Sequence, residues 1–277
     1  MKMVFVSETD STNSYIKQVA ADCQGETLVV WTDFQTAGKG CGTNSWESEP
    51  GKNLTFSIMV RPQHIAARDQ FILSMAHAVA LKRTLSQYID DVRVKWPNDI
   101  YWHDRKLCGT LIEATLEAQH IKTCIIGTGI NVNQQVFRSD APNPVSLCQI
   151  LGHEMDRETI LLRVAEKTDE LVSQAADGGA EVIRDEYRSA LYRRGEIHPY
   201  RLPNGEQRML RLDDVSDDGH LLLSSADSKE HLAFAFKEIQ FVLDERWRNL
   251  ETTEYRNTGI TKSRKSRNNE KNQRIAT

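Results

Sequence analysis

The chain has 277 residues, enough for one large or two modest cored domains, with 39% hydrophobic residues and a formal net charge of −4. That balance excludes a global pull toward nucleic acid or a membrane surface, so any such contact would be local. No apolar run approaches a membrane span, residues 1–6 are too short and mixed for a signal peptide, and Cys23, Cys41, Cys108, Cys124 and Cys148 lack C-x-x-C spacing. These features predict a cytoplasmic protein with neither a disulfide framework nor a zinc site.

Ser11-Thr12-Asn13 precedes Tyr15, Ile16, Val19 and Ala20 at helical spacing, which predicts an N-cap whose hydroxyl meets free backbone N–H groups. Residues 28–31 read as a buried strand, followed over 33–46 (DFQTAGKGCGTNSW) by a glycine-rich loop. This is no P-loop, because Lys39 is followed by Gly40 rather than Ser or Thr. Nor is it a Rossmann turn, because residues 54–60 read as a strand where that fold places a helix. On composition alone an ordinary long surface loop fits as well.

Residues 67–89 carry Phe71, Ile72, Met75, Ala76, Val79, Ala80, Leu85 and Tyr88 at helical spacing, a core helix with His77 on its polar face. Val92, Val94 and Trp96 alternate with Arg93 and Lys95, and Pro97-Asn98-Asp99 stops that strand. Residues 100–102 resume a strand, His103-Asp104 turns, and 106–112 form a longer run, so two hairpins are predicted. The β-rich run 121–126 delivers Gly127, Gly129, Asn131 and Asn133 at its far end, where small and amide residues can approach a ligand.

Further on, Asp156 is predicted to cap a helix whose stripe is Ile160, Leu161, Val164, Ala165, Thr168, Leu171 and Val172, and a second helix ends near Gly195. Asn204-Gly205 and Asp218-Gly219 then signal hairpins in a small all-β module, with a last strand over 234–243. From about Asn249 the chain is rich in Lys, Arg, Asn, Thr and Ser, which predicts a solvated tail, with a basic nucleic-acid contact as the sharper alternative.

Three motifs in order, K-W-P-N-D at 95–99, K-L-C-G at 106–109 and G-x-G-I-N-V-N at 127–133, resemble the catalytic domain of biotin protein ligases. Their order and spacing carry the specificity, since W-P-N-D alone is a plausible turn. The resemblance implies an α/β (α+β) fold: a mixed sheet with packed helices, similar to class II aminoacyl-tRNA synthetases, over 1–194. A small SH3-like β-barrel over 195–248 and the tail over 249–277 would follow.

It further implies ATP-dependent attachment of biotin to a lysine of a biotin carboxyl carrier protein or domain, through biotinyl-5'-AMP, with Mg²⁺ on the polyphosphate. Ser11, Thr12, Asn13 and Gln35 would then line the biotin pocket. The loop is similar to the family's G-R-G-R-x-G-R-x-W: Gly38, Lys39, Gly40 and Cys41 would close over biotin and the adenylate, and Trp46 would face adenine. Lys106 would stand between carboxylate and α-phosphate, the bland alternative being a solvated turn lysine. Lys95, Asn98 and Asp99 would organise the site, Asp99 helping to deprotonate the incoming lysine, with Asn98 and Asn131 on the nucleotide; no protein metal ligands are expected.

The loop departs from the family pattern. Lys39 keeps a cation without the bidentate fork of arginine, Cys41 brings no charge, and Thr43-Asn44 replace the last glycine and arginine. A less firmly held intermediate is therefore expected unless Asn44 or the C-terminal module compensates. A lipoate or octanoyl transferase would share the fold, but K-W-P-N-D and Trp46 point away from it. A nonenzymatic biotin-sensing regulator would need the helix-turn-helix that precedes S-T-N in the family. The expectation is a monofunctional ligase without DNA or membrane partners, its oligomeric state open, homodimer included.

Overall fold

Apolar residues alternate with glycine and serine in the centre of this protein, and that alternation divides one sheet into two unlike faces. The computed structural model describes residues 1–243 apart from 24, 43, 63, 140–142 and 226–229, so the tail expected from Asn249 lies outside the described residues. In chain order come β1 (Lys2–Thr9), α1 (Thr12–Val19), β2 (Leu28–Gln35), β3 (Leu54–Val60), α2 (Phe71–Leu85), β4 (Val92–Lys95), β5 (Asp99–Trp102), β6 (Arg105–Glu117) and β7 (His120–Ile130). They build a seven-stranded mixed sheet in the order β1-β2-β3-β7-β6-β5-β4, in which only the pair β1 and β2, bridged by α1, is parallel.

On one face Phe56, Ile58, Ile126 and Ile130 pack with α2 and with α4 (Arg157–Gln174) into the main core. On the other, Leu28, Val30, Met59 and Ile125 meet Ile16 of α1 in a smaller core. Beyond that smaller core the register aligns Ser57 with Gly127 and Thr55 with Gly129 on one side, and Leu111 and Gly109 with the same two glycines on the other. Removing side chains along this line leaves a slot above the sheet into which Asn13 folds over Gly127 and Trp46 over Gly129.

Several expectations shift. Residues 2–9 had no predicted strand; β1 lies at the sheet edge, where exposed positions break the alternation. The glycines expected beyond a strand end lie inside β7, which runs through to Ile130. The predicted helix over 67–89 is confined to Phe71–Leu85, because residues 67–69 form a separate 3₁₀ turn. His77 is not on a polar face: it is fully buried, with Nδ1 3.0 Å from Thr168 Oγ1 and Nε2 2.8 Å from Thr128 Oγ1. Thr168 donates its hydroxyl to Val164 O at 2.7 Å, so it accepts from Nδ1–H, and Nε2 accepts from Thr128. Burial pushes the imidazole down to about 3.

A short helix α3 (Leu147–Leu151) carries a full capping box between Ser146 and Gln149. Asp156 caps α4 by accepting from Thr159 N at 3.1 Å, and the buried stripe of α4 is the predicted one. Next come α5 (Ala180–Ser189), β8 (Ile197–Arg201), β9 (Gln207–Val215), β10 (Leu221–Ser225), β11 (His231–Phe234) and β12 (Gln240–Phe241). The last five form an antiparallel sheet in the order β11-β10-β9-β8-β12. The strand predicted over 234–243 is split, because Glu238 N donates to Ala235 O at 3.1 Å and closes a turn. This second sheet docks on the 95–99 segment: Trp96 Nε1 donates to Gly219 O at 2.9 Å, and the Phe236 ring stands edge-on to Trp96 at 5.9 Å.

Candidate active site

The slot is walled at one end by the start of α1. Ser11 is the N-cap in extended conformation, but its hydroxyl makes no cap bond; Asp10 Oδ1 instead accepts from Ser11 N at 2.6 Å. The predicted hydroxyl cap is thus absent. Thr12 and Asn13 are buried and tied to other elements. Gln35 Oε1, at the end of β2, accepts from Thr12 N at 2.8 Å and from Thr12 Oγ1 at 3.1 Å. Ser57 Oγ lies 2.8 Å from Thr12 Oγ1 and 2.6 Å from Asn13 Oδ1, and Asn13 Nδ2 donates to Glu113 at 3.1 Å. Asn13 also fills the space over Gly127, where an added Cβ would lie 2.2 Å from its Oδ1. The result is a connected patch of hydroxyl, amide and carboxylate groups.

The other end is roofed by the glycine-rich loop, which folds back on itself through Gly40 N to Asn44 O at 2.7 Å and Trp46 N to Gly38 O at 3.0 Å. Trp46 lies flat enough on the glycines that a Cβ at Gly129 would meet its Cε2 at 2.2 Å, and one at Gly109 its Cζ3 at 2.8 Å. Among the described residues its Nε1 is buried without a hydrogen-bond partner, a state that costs free energy. Just beyond, Glu47 accepts from Arg138 N at 2.9 Å and Ser139 N at 2.7 Å, anchoring the end of the loop. Burial raises the Glu47 pKa, but these hydrogen bonds outweigh it and leave the carboxyl below its ordinary value. Lys39 is exposed and Cys41 half-buried.

Beside Trp46 stands the cation of the slot. Lys106 Nζ is 2.7 Å from Asp99 Oδ2 and 5.9 Å from the Trp46 ring centroid, with both members of the ion pair mostly shielded. Asn131, also buried, holds the backbone at Lys106: its Nδ2 lies 3.1 Å from Val145 O and 3.4 Å from Lys106 O. Asn98 Nδ2 donates to Ser74 Oγ of α2 at 3.1 Å.

Lys95 leans toward the second sheet, with its ammonium 5.4 Å from the Tyr101 ring and 4.6 Å from Phe241, while remaining within the field of Asp99 and Lys106. Burial pushes its pKa below the ordinary lysine value, opposed by the nearby Asp99 charge. The site thus unites Thr12, Asn13, Gln35, Trp46, Asp99 and Lys106, while Lys95 lies toward the second sheet. Sequence reasoning missed Ser57, Glu113 and Glu47. A serine inside the wholly buried LTFSIMV strand, and a glutamate in the apolar run 107–116, were the available signals. Among the described residues no group of three or more His, Cys, Asp or Glu could hold a metal.

Comparison with known proteins places the fold. The fold is that of biotin protein ligases: the enzyme from Aquifex aeolicus in complex with biotin and ATP superposes with a TM-score of 0.71 at 22% identity, covering 87% of this chain and 99% of that one. Residues 5–131 match the family model of the biotin/lipoate A/B protein ligase family. The bifunctional ligase/repressor BirA of Bacillus subtilis is 30% identical over 168 residues, 58% of this chain and 51% of BirA. The biotin--[acetyl-CoA-carboxylase] ligase of Mycobacterium tuberculosis is 26% identical over 223 residues, 79% of this chain and 81% of that protein. The chain spans about half the length of the BirA relatives it matches.

Proposed function

We propose that this protein is an ATP-dependent biotin protein ligase, with residues 1–194 as its catalytic domain and residues from 195 as a smaller β module. What carries the reading is the Lys106–Asp99 ion pair beside a glycine-floored slot whose far end is lined by Thr12, Asn13 and Gln35. Relatives with this fold are named for biotin and ATP.

In the first half-reaction a biotin carboxylate oxygen bonds to the α-phosphorus of ATP and pyrophosphate leaves. Two anionic groups must approach, and Lys106 offsets their repulsion from a fixed position that needs no reorganisation. The ureido ring takes the polar end of the slot, where Ser11, Thr12, Asn13 and Gln35 supply donors and acceptors, and Lys39, Gly40 and Cys41 lie over the acyl chain and phosphate. Gly38, Trp46, Asn98 and Asn131 serve the nucleotide, with the unpartnered Trp46 Nε1 offering one donor. Mg²⁺ would enter on the polyphosphate oxygens, since the described residues offer no cluster to hold it.

In the second half-reaction the ε-amine of a carrier lysine attacks the acyl carbon, AMP leaves, and Asp99 takes the amine's proton while Lys95 keeps the local field positive. The acceptor is a carrier domain of a biotin-dependent carboxylase, and the setting is cytoplasmic. Incubation with biotin, ATP, Mg²⁺ and a carrier domain should add one biotinyl group to one carrier lysine, read by mass spectrometry. Transfer of lipoate but not biotin would assign the chain to the other branch of the family.

A further inference from the structure

The loop over 38–46 has a cation at Lys39 but none at Cys41, and the structure brings one to its tip from a distant part of the chain. Gly42, at φ +73°, faces Lys237 of the second sheet: a Cβ there would lie 3.1 Å from Lys237 Nζ and 3.9 Å from its Cε. Lys237 sits in the turn between β11 and β12, which is fixed in three ways. Ala235 N donates to Glu238 Oε2 at 2.8 Å, Phe236 stands edge-on to Trp96, and Ile239 is buried. Lys237 itself has φ +73°, a left-handed backbone that glycine adopts freely and lysine does not. Its side chain is exposed and joins no hydrogen bond or ion pair among the described residues.

An unpaired ammonium held against a loop tip, on backbone that disfavours the residue, is poorly explained by folding. We infer that Lys237 supplies the cation that position 41 lacks, contacting phosphoryl oxygens of the nucleotide-derived ligand over which the loop closes. Lys39 and Lys237 then flank the phosphate from the loop and from the second sheet. Retention of the intermediate becomes dependent on docking of that sheet through Trp96. This inference rests on the ligase reading above.

The test compares wild type, Lys237→Gly and Lys237→Gly/Cys41→Arg. Each is preloaded with labelled biotinyl-adenylate, chased with unlabelled biotin, and melted in parallel. Glycine suits φ +73°, so Lys237→Gly is expected to melt no lower than wild type and to bind biotin alone equally well. It should release the adenylate roughly tenfold faster, the low end for loss of a charge-assisted hydrogen bond, and the difference should shrink with added salt. Arginine at position 41 should restore slow release. Unchanged release from Lys237→Gly overturns the inference, as does an equal loss of biotin affinity, which would mark a structural role. If wild type forms no adenylate from biotin, ATP and Mg²⁺, the ligase reading falls and this inference with it.

Discussion

Lys106 and Asp99 face each other across the β5 and β6 hairpin, ammonium to carboxylate at 2.7 Å, next to the indole of Trp46. If the cation offsets the charge that builds on the α-phosphate, Lys106→Ala should lower pyrophosphate exchange by about 10²–10³ while the fold survives. Exchange at the wild-type rate would remove Lys106 from the mechanism. Asp99→Asn should slow carrier biotinylation more than exchange, because the amine loses its proton acceptor; equal loss in both assays would mean Asp99 only positions Lys106.

Gly127→Ala places a methyl group 2.2 Å from Asn13 Oδ1. Asn13 must swing away and give up its bonds to Ser57 and Glu113. Calorimetric titration should show biotin affinity reduced at least about tenfold, with a stability loss of about 1–3 kcal/mol from overpacking. Wild-type affinity would show that Asn13 does not shape the biotin end.

Trp46 occupies the glycine floor with a buried N–H that has no partner among the described residues. Binding of biotin and ATP should move this indole or give it an acceptor, so intrinsic tryptophan emission should change on ligand addition. The change should vanish in Trp46→Phe. A change that persists in the variant would point to Trp31, Trp96, Trp102 or Trp247 instead.

His77 stays neutral in the fold because burial lowers its pKa from 6.5 to about 3. The unfolded chain takes up a proton below pH 6.5 that the folded chain refuses, so this residue favours unfolding increasingly as pH falls toward 3. The slope should be about 1.4 kcal/mol per pH unit across that window. Urea melts of His77→Gln, which can still accept and donate, should show a flatter slope between pH 6 and pH 4. An identical slope would place the acid sensitivity elsewhere.

What was legible in the sequence follows the strength of local pattern. The α4 stripe and the Asn204-Gly205 and Asp218-Gly219 turns declare themselves within a few residues, and the structure places them as read. The edge strand β1 did not, because solvent relaxes its alternation. Thr12, Gln35, Asp99 and Lys106 were legible through motif resemblance. Ser57 and Glu113 lie outside those motifs, and only cross-strand register shows that they reach Asn13. Trp46 over Gly129 and Lys237 over Gly42 are long-range contacts that no local window contains.

Thr128 lies between the two floor glycines of β7 but faces the opposite side, where His77 links it to Thr168 of α4. Two glycines flanking one residue would leave that stretch of strand prone to breathing, since neither side chain holds it down. The threonine-imidazole-threonine chain fastens it from beneath. Backbone amides at 127–129 should therefore exchange with deuterium as slowly as those of the helix, and both should quicken together when His77 is replaced. The rigidity of the slot is in this sense set on the side of the sheet that no ligand touches.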